Sequence, residues 1–152
     1  MTSIYIDADA CPVKAETYRV AERHAVRVFV VSNSGMKTPM ANWCEAVVLP
    51  TGFSTVDDWI AERAGPADIV ITSDIILAER CLKNGSRVLS PKGHAFTVDM
   101  IGEALATRAL MEELRQMGTR TGGPAPMGKQ DRSRYLSRLD EAIHAARRSA
   151  PK

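Results

Sequence analysis

Short apolar runs alternate with longer amphipathic stretches over the first 117 residues of the chain. Runs rich in Val and Ile that end at Gly, Pro, Asn or Asp are typical of buried strands. The predicted strands are residues 3–7, 26–33, 45–50, 68–74 and 86–90. The predicted helices are residues 13–24, 57–64 and 75–85, and a further stretch that begins at Thr97. This alternation favours an α/β fold, a three-layer α/β/α sandwich in which helices cover both faces of a mainly parallel sheet.

A segment rich in Gly and Pro interrupts this pattern towards the end of the chain. Residues 118–130, GTRTGGPAPMGKQ, are predicted to form a loop, and residues 131–148 an amphipathic helix. A chain of 152 residues is long enough for one core and short for two. We therefore expect residues 1–117 to form an α/β core and residues 118–152 to form a loop and helix packed on the same domain.

Aspartates follow two of the predicted strands. Asp7 and Asp9 end the first strand in the segment IYIDADACPVK, Asp74 ends the fourth, and Asp57 lies in the first turn of the helix before the fourth. The carboxyl ends of parallel strands share one edge of a sheet, so these side chains are expected to meet there. Like charges held close together raise each other's pKa unless a cation lies between them. For any single aspartate, capping a helix or complementing its dipole is an alternative explanation.

Clustered carboxylates without His or Cys partners suit a hard cation such as Mg²⁺ or Mn²⁺, which is held partly by water and by substrate phosphate. We therefore predict Asp7, Asp9 and Asp74 as metal ligands, and the same three residues with Asp57 as the catalytic set. Such an ion can polarise a phosphoryl oxygen and activate the attacking water.

Polar residues next to these aspartates are candidates for contacts with a phosphate. Thr72 and Ser73 precede Asp74 and could hydrogen-bond its carboxylate or a phosphate, and Asn33 ends the second strand. Ser73 and Asn33 are predicted to bind substrate. Turn formation explains their presence nearly as well.

Charge is distributed unevenly along the chain, although its net value is only +2. Residues 1–107 contain ten Lys and Arg against thirteen Asp and Glu, whereas residues 108–152 contain ten against five. A basic segment with glycines suggests a polyanionic partner, because backbone N–H groups can then approach a phosphate. The predicted nucleic-acid contacts are Arg120, Lys129, Arg132 and Arg134, with Tyr135 as an occasional stacking partner. A flexible connector to the last helix is the alternative.

Further features bound the function without assigning it. No apolar run is long enough to span a bilayer and no signal peptide is evident, so we expect a cytoplasmic protein. The cysteines are expected to be free thiols, and neither they nor the histidines have a spacing that indicates a set of metal ligands. These residues are Cys11, Cys44, Cys81, His24, His94 and His144. The oligomeric state cannot be read from the sequence.

Three segments carry a resemblance to a known family. They are IYIDADACPVK, VDDWIAERAGPADIVITSDIILAERCL and GTRTGGPAPMGKQDRSRYLSRLDEAI. Together they resemble the signature segments of the YaiI/YqxD family of bacterial proteins, over residues 4 to about 143. The resemblance implies a PIN-like nuclease fold, in which acidic residues bind Mg²⁺ or Mn²⁺ for phosphodiester hydrolysis. By position it implies metal-site roles for Asp7, Asp57 and Asp74, whereas Asp9 belongs to the family's own DADACP motif.

These observations favour a metal-dependent nuclease or phosphodiesterase that acts on RNA or, as a second choice, DNA. A haloacid-dehalogenase-like phosphatase is one alternative, with Asp7 as nucleophile and Asp9 as general acid. A module of the same fold that binds nucleic acid or protein without catalysis is another.

Overall fold

A computed structural model describes residues 2–35, 37–51, 55–103 and 128–149 of the chain. All five predicted strands are present. They are β1 (Ser3–Asp7), β2 (Arg27–Ser32), β3 (Cys44–Val48), β4 (Ile69–Ile71) and β5 (Arg87–Leu89). The prediction carried β4 on to Asp74, but the strand ends at Ile71 because the Thr72 hydroxyl accepts the backbone N–H of Asp74 and turns the chain into the next helix.

The predicted helices are also present, and the last one is longer than expected. The helices are α1 (Lys14–His24), α2 (Thr55–Arg63), α3 (Ile75–Lys83), α4 (described over residues 98–103) and α5 (Lys129–Ser149). Helix α5 begins two residues before its predicted start, because Asp131 Oδ2 accepts the backbone N–H of Gly128 at 3.0 Å and caps the first turn. Within the described ranges, no helix combines the length and the apolar character needed to cross a membrane.

The five strands form one parallel sheet in the order β3-β2-β1-β4-β5. Strand β1 lies at the centre, and its residue Ile6 pairs with Val30 of β2 and with Ile71 of β4. Strands β2 and β3 follow one after the other on one side of β1, and the chain then crosses back to place β4 on the other side of β1. The strand order therefore reverses between β1 and β4, which is where open α/β sheets bind ligands at the carboxyl ends of their strands.

Helices bury both faces of this sheet, so the molecule is a three-layer α/β/α sandwich. Neighbouring residues of a strand point to opposite faces, and both faces are apolar. On one face α1 and α5 cover a cluster that includes Ile4, Ile6, Val28, Val30, Ile69, Ile71, Val20, Leu139 and Ile143. On the other face α2 and α3 cover a cluster that includes Tyr5, Val31, Val70, Val88, Ile60, Leu77 and Cys81.

Helix α5 is fastened to α1 by a buried hydrogen bond. Tyr135 is fully buried, and its hydroxyl lies 2.6 Å from the hydroxyl of Thr17. The Thr17 hydroxyl donates to the carbonyl of Val13, so the Tyr135 hydroxyl is the donor between the two side chains. Burial raises the pKa of Tyr135 above its ordinary value and keeps the phenol protonated. The predicted stacking of Tyr135 on a base is therefore wrong, because the ring lies in the core.

Gly93 lets the loop after β5 approach the backbone of α5. Its φ is +86°, and a Cβ at this position would lie 2.6 Å from the backbone nitrogen of Tyr135. Gly93→Ala is expected to lower the free energy of unfolding by about 3 kcal/mol, because left-handed backbone strain and overpacking act together. Gly102→Ala is the matched control, since Gly102 is exposed and its added Cβ would meet nothing within 4 Å. Equal unfolding midpoints in denaturant for the two variants would contradict this account.

Candidate active site

Asp7 and Asp74 lie on the carboxyl edge of the sheet and are joined through Thr72. The Thr72 hydroxyl donates to Asp7 Oδ2 at 2.9 Å and accepts the backbone N–H of Asp74 at 2.9 Å. The strand register explains this contact: Ile6 pairs with Ile71, so the next residues along the two strands, Asp7 and Thr72, are neighbours across the sheet. The site therefore stands where the strand order reverses.

Asp74 also caps helix α3. Its Oδ1 accepts the backbone N–H of Ile76 at 2.9 Å and of Leu77 at 3.4 Å. This is the capping role that the sequence left as an alternative explanation. Capping does not separate Asp74 from the cluster, because its charge acts on both Asp57 and Asp7.

The electrostatics of Asp57 and Asp7 show that this cluster concentrates negative charge. Burial raises the pKa of Asp57 to about 6, and the nearby charges of Asp74 and Asp7 raise it as well, against a lowering effect of Arg80. Burial also raises the pKa of Asp7; the hydrogen bond from Thr72 opposes this increase, and the charges of Asp74 and Asp9 add to it. The charges of Asp7 and Asp74 therefore act on Asp57, and that of Asp74 acts on Asp7, along the same rim.

Asp9 lies beside this cluster but has partners of its own. Its Oδ2 accepts the backbone N–H of Asn33 at 3.0 Å, and its Oδ1 accepts the hydroxyl of Ser34 at 3.0 Å. Both carboxylate oxygens thus hold the loop that leaves β2. The charge of Asp9 raises the pKa of Asp7. The role of Asp9 as a metal ligand stays a prediction.

The two polar residues predicted to bind substrate differ in their surroundings. The side-chain amide of Asn33 donates to the carbonyl of Pro50 at 3.1 Å and to the hydroxyl of Thr55 at 2.9 Å, so it ties the loops after β2 and β3 to the start of α2. Ser73 is exposed between Thr72 and Asp74 on the rim. Substrate contact stays a prediction for both residues.

The chemistry of the acidic cluster fits a hard divalent cation. Its donors are carboxylate oxygens, and among the described residues no salt bridge to Lys or Arg neutralises Asp7, Asp57 or Asp74. Arg80, whose charge lowers the pKa of Asp57, binds Asp58 at 2.8 Å instead. In the part of the chain that is described, these carboxyl groups do not bring three oxygens within 4.8 Å of one another. Mg²⁺ does not require a close cage of three carboxylates, because it uses one or two and completes its shell with water and substrate phosphate.

Two of the four basic residues predicted to contact nucleic acid are engaged in contacts within the protein. Arg120 lies outside the described residues, and Lys129 is exposed in the first turn of α5. Arg132 donates to Glu16 at 2.9 Å and to the carbonyl of Pro12 at 3.4 Å. These contacts place the start of α5 near the carboxyl edge of the sheet, because Pro12 and Glu16 follow β1 directly.

Arg134 is likewise held by its neighbours. Its guanidinium donates to the carbonyl of Lys92 at 3.3 Å, lies 3.1 Å from His94 Nε2, and pairs with Asp131 at 3.4 Å. Arg132 and Arg134 lie in the helix that the sequence predicted, and both side chains stay partly exposed, so their contact with a nucleic acid stays a prediction.

Sequence reasoning did not assign a role to Lys14, which shapes the turn after β1. Its ammonium group donates to the carbonyl of Cys11 at 2.6 Å and to that of Ala8 at 3.2 Å. The only sequence signal for this role was the position of a lysine shortly after the turn that follows β1. Cys11 itself is buried, and burial raises the pKa of its thiol, which therefore stays protonated and unreactive at neutral pH.

Replacement of Asp57 is expected to stabilise the protein in a pH-dependent way. The pKa of Asp57 is about 6 in the folded protein, against an ordinary 3.8. The folded state therefore holds this proton more tightly than the unfolded state. The stability that results is complete below pH 3.8 and is lost as the pH rises through about 6. The Asp57→Asn variant has no carboxyl group that can ionise here. Its free energy of unfolding should therefore increase relative to that of the wild type between about pH 5 and pH 8. Urea unfolding at both pH values measures the gain.

Asp58→Asn is the control for this comparison. Asp58 lies on the same turn of α2 but is hydrogen-bonded to Arg80 at 2.8 Å, so its replacement removes a favourable contact and should give no gain. A difference between Asp57→Asn and wild type that is the same at both pH values would contradict the raised pKa of Asp57.

Comparison with known proteins places this architecture in a family. The sequence pattern of the family described as "Uncharacterized BCR, YaiI/YqxD family" matches residues 5–145. The chain is 50% identical to the UPF0178 protein of Caulobacter vibrioides strain NA1000 over 152 residues, which cover 100% of this chain and 99% of that protein. It is 54% identical to a UPF0178 protein of Rhodospirillum centenum, over 97% of this chain and 99% of that one. No solved structure gives a significant match. The chain thus belongs to the YaiI/YqxD family of uncharacterised bacterial proteins.

Proposed function

We propose that this protein is a divalent-metal-dependent phosphodiesterase that cleaves RNA, with DNA as the second candidate substrate. The observation that carries the proposal is the contact of Asp7 and Asp74 through Thr72 at the reversal of the strand order. Ligands of open α/β sheets bind at this position. The resemblance to PIN-like nucleases, whose acidic residues also follow the first and fourth strands, supports the same reading.

The donor set determines which cofactor the rim would hold. Asp7 and Asp74, assisted by Asp57, offer oxygen atoms to Mg²⁺ or Mn²⁺, and the partners of Asp9 leave it a supporting role. A bound ion would supply the positive charge that polarises a phosphoryl oxygen and lowers the pKa of the attacking water.

The residues of the chain contribute orientation and a site for the proton. Thr72 fixes the rotamer of Asp7 and the start of α3 at once, so the two aspartates keep a constant separation. Asp57 has a pKa of about 6, so near neutral pH its carboxylate is ionised in much of the protein and can accept a proton from water. Exposed Lys129, near the rim, offers a charge to a phosphate further along the strand.

The composition of the protein favours recognition of the backbone over recognition of bases. Aromatic residues make up 5% of the chain, and Tyr135 is buried, so a stacking platform for bases is not available among the described residues near α5. Cleavage should therefore depend on the conformation of the strand more than on its base sequence.

Metal binding is the first test of this proposal. Mn²⁺ should bind the wild-type protein in calorimetric titration, and Asp7→Asn and Asp74→Asn should each weaken the binding by at least about 10-fold. Asn is a good helix N-cap, so Asp74→Asn keeps the start of α3 while it removes the charge. Asp58→Asn is the control and should bind Mn²⁺ like the wild type. Unchanged binding in both rim variants would contradict a metal centre at this position.

Cleavage of labelled nucleic acids is the second test. Single-stranded and structured RNAs, with DNAs of the same sequence, should be cleaved in Mg²⁺ or Mn²⁺ and protected by a chelator. Asp7→Asn and Asp74→Asn should each reduce the rate at least about 100-fold, since a charge that positions the ion is lost. Cleavage that survives both substitutions would overturn the mechanism.

The alternatives give different results in the same assays. Binding of RNA or protein without cleavage under any condition would identify a non-catalytic module. Hydrolysis of small phosphomonoesters with a phosphate attached to Asp7 would identify a phosphatase. The phosphatase needs Asp9 as a mobile general acid, whereas both oxygens of Asp9 already accept hydrogen bonds from the loop after β2.

A further inference from the structure

A second cluster of metal-ligating side chains lies far from the aspartates. His24 is the last residue of α1, and Asp140 and His144 are four residues apart on α5, so they lie on the same face of that helix. One ligand atom from each of the three lies within 4.8 Å of the other two. No spacing along the chain indicates this cluster, because His24 is separated from Asp140 by 116 residues.

The cluster occupies the opposite edge of the sheet from the proposed active site. Helix α1 starts after the carboxyl end of β1 and returns to the amino edge, where Ala25 and Val26 lead into β2. His24 therefore lies at the amino edge, and its backbone carbonyl accepts a hydrogen bond from Arg147 near the end of α5. Binding at this cluster is thus separable from any event at Asp7 and Asp74.

We propose that His24, Asp140 and His144 form a Zn²⁺ site that links α1 to α5. Two imidazole nitrogens and one carboxylate are a donor set that suits Zn²⁺ and does not suit Mg²⁺. Three protein ligands leave the fourth position of a tetrahedral ion to water.

The distances and exposures fit a site that closes on the ion with small movements. His144 Nε2 lies 3.6 Å from Asp140 Oδ2, close to the separation of two ligand atoms that share a tetrahedral zinc ion. His24 Nε2 lies 2.6 Å from Asp140 Oδ1, which is a hydrogen bond that would lengthen by less than about 1 Å on metal binding. The side chain of His24 is 13% exposed, and that of His144 is 54% exposed, so the ion has an access path from the solvent.

The helices around the cluster provide a rigid frame for it. The two imidazole rings are nearly perpendicular, with centroids 5.2 Å apart, so they do not stack against each other and exclude an ion. The end of α1 carries a partial negative charge that favours a cation. The guanidinium of Arg147 is a nearby positive charge, although its hydrogen bond to the His24 carbonyl directs it to the backbone.

Calorimetric titration of the chelator-treated full chain with Zn²⁺ tests the proposal. The wild type should bind one Zn²⁺ per chain at this cluster, and His144→Ala and Asp140→Asn should each weaken the binding at least about 10-fold. His94→Ala and Cys44→Ser are the controls and should bind like the wild type. His144 is more than half exposed, so its replacement should leave the fold intact, and circular dichroism checks this.

Two further measurements distinguish a zinc site from a simple hydrogen bond. Co²⁺ in place of Zn²⁺ should give a visible absorption band in wild type and lose it in His144→Ala. Zn²⁺ should raise the midpoint of thermal unfolding in wild type but not in His144→Ala, because an ion that binds only the folded state stabilises it. Zinc binding that is absent, or that persists unchanged in both ligand variants, would show that His24 and Asp140 form a hydrogen bond only.

The outcome is independent of the proposed nuclease centre. Asp7→Asn should keep the Zn²⁺ affinity of this cluster while it loses Mn²⁺ binding at the rim, and His144→Ala should do the reverse. Loss of Zn²⁺ affinity at the cluster in Asp7→Asn would overturn the assignment.

Discussion

The parallel pairing of β1 with β4 is the contact on which the rest of this structure depends. Ile4 and Ile6 pair with Ile69 and Ile71 although more than sixty residues separate them, and all four side chains are fully buried. Burial of this apolar surface offsets the entropy of closing the long connection through β2, β3 and α2. The pairing also fixes the register one residue further on, where Thr72 meets Asp7. The same apolar contact thus supplies cohesion and creates the acidic rim.

That rim opposes the stability of the protein. Burial raises the pKa values of Asp7 and Asp57, the charges of the cluster add to the increase, and no salt bridge among the described residues neutralises either carboxylate. Such an arrangement persists because the sandwich around it is packed on both faces of the sheet and holds the carboxylates in place. Two explanations account for an uncompensated cluster of this kind: chance, or a cation that the folded protein binds. The proposed function takes the second explanation, because the cluster stands at the strand reversal.

Local sequence signals predicted the elements well and the side-chain partners poorly. Periodicity located all five strands, and the parallel topology alone was enough to place Asp7 and Asp74 on one edge. The contacts that were not predicted depend on how α5 docks. In the sequence Tyr135 is an aromatic residue beside arginines, which suggests exposure. In the structure helix α5 buries it against Thr17, 118 residues away. Arg132, Arg134 and the histidines likewise find partners across α1 and β5, and no spacing along the chain encodes such distant contacts.

The direction of the helices affects the electrostatics of the rim in a way that does not depend on any single residue. Helices α1, α2, α3 and α5 all start at the carboxyl edge of the sheet and run back against the strands, so their positive ends face the rim. Those helix ends attract a phosphate, whereas Asp7, Asp57 and Asp74 repel it. A divalent ion between the carboxylates, as the proposed function requires, would offset that repulsion and let the helix ends act on a phosphate. Under that proposal a polynucleotide backbone, which brings both phosphate and its counterions, would meet both conditions at once.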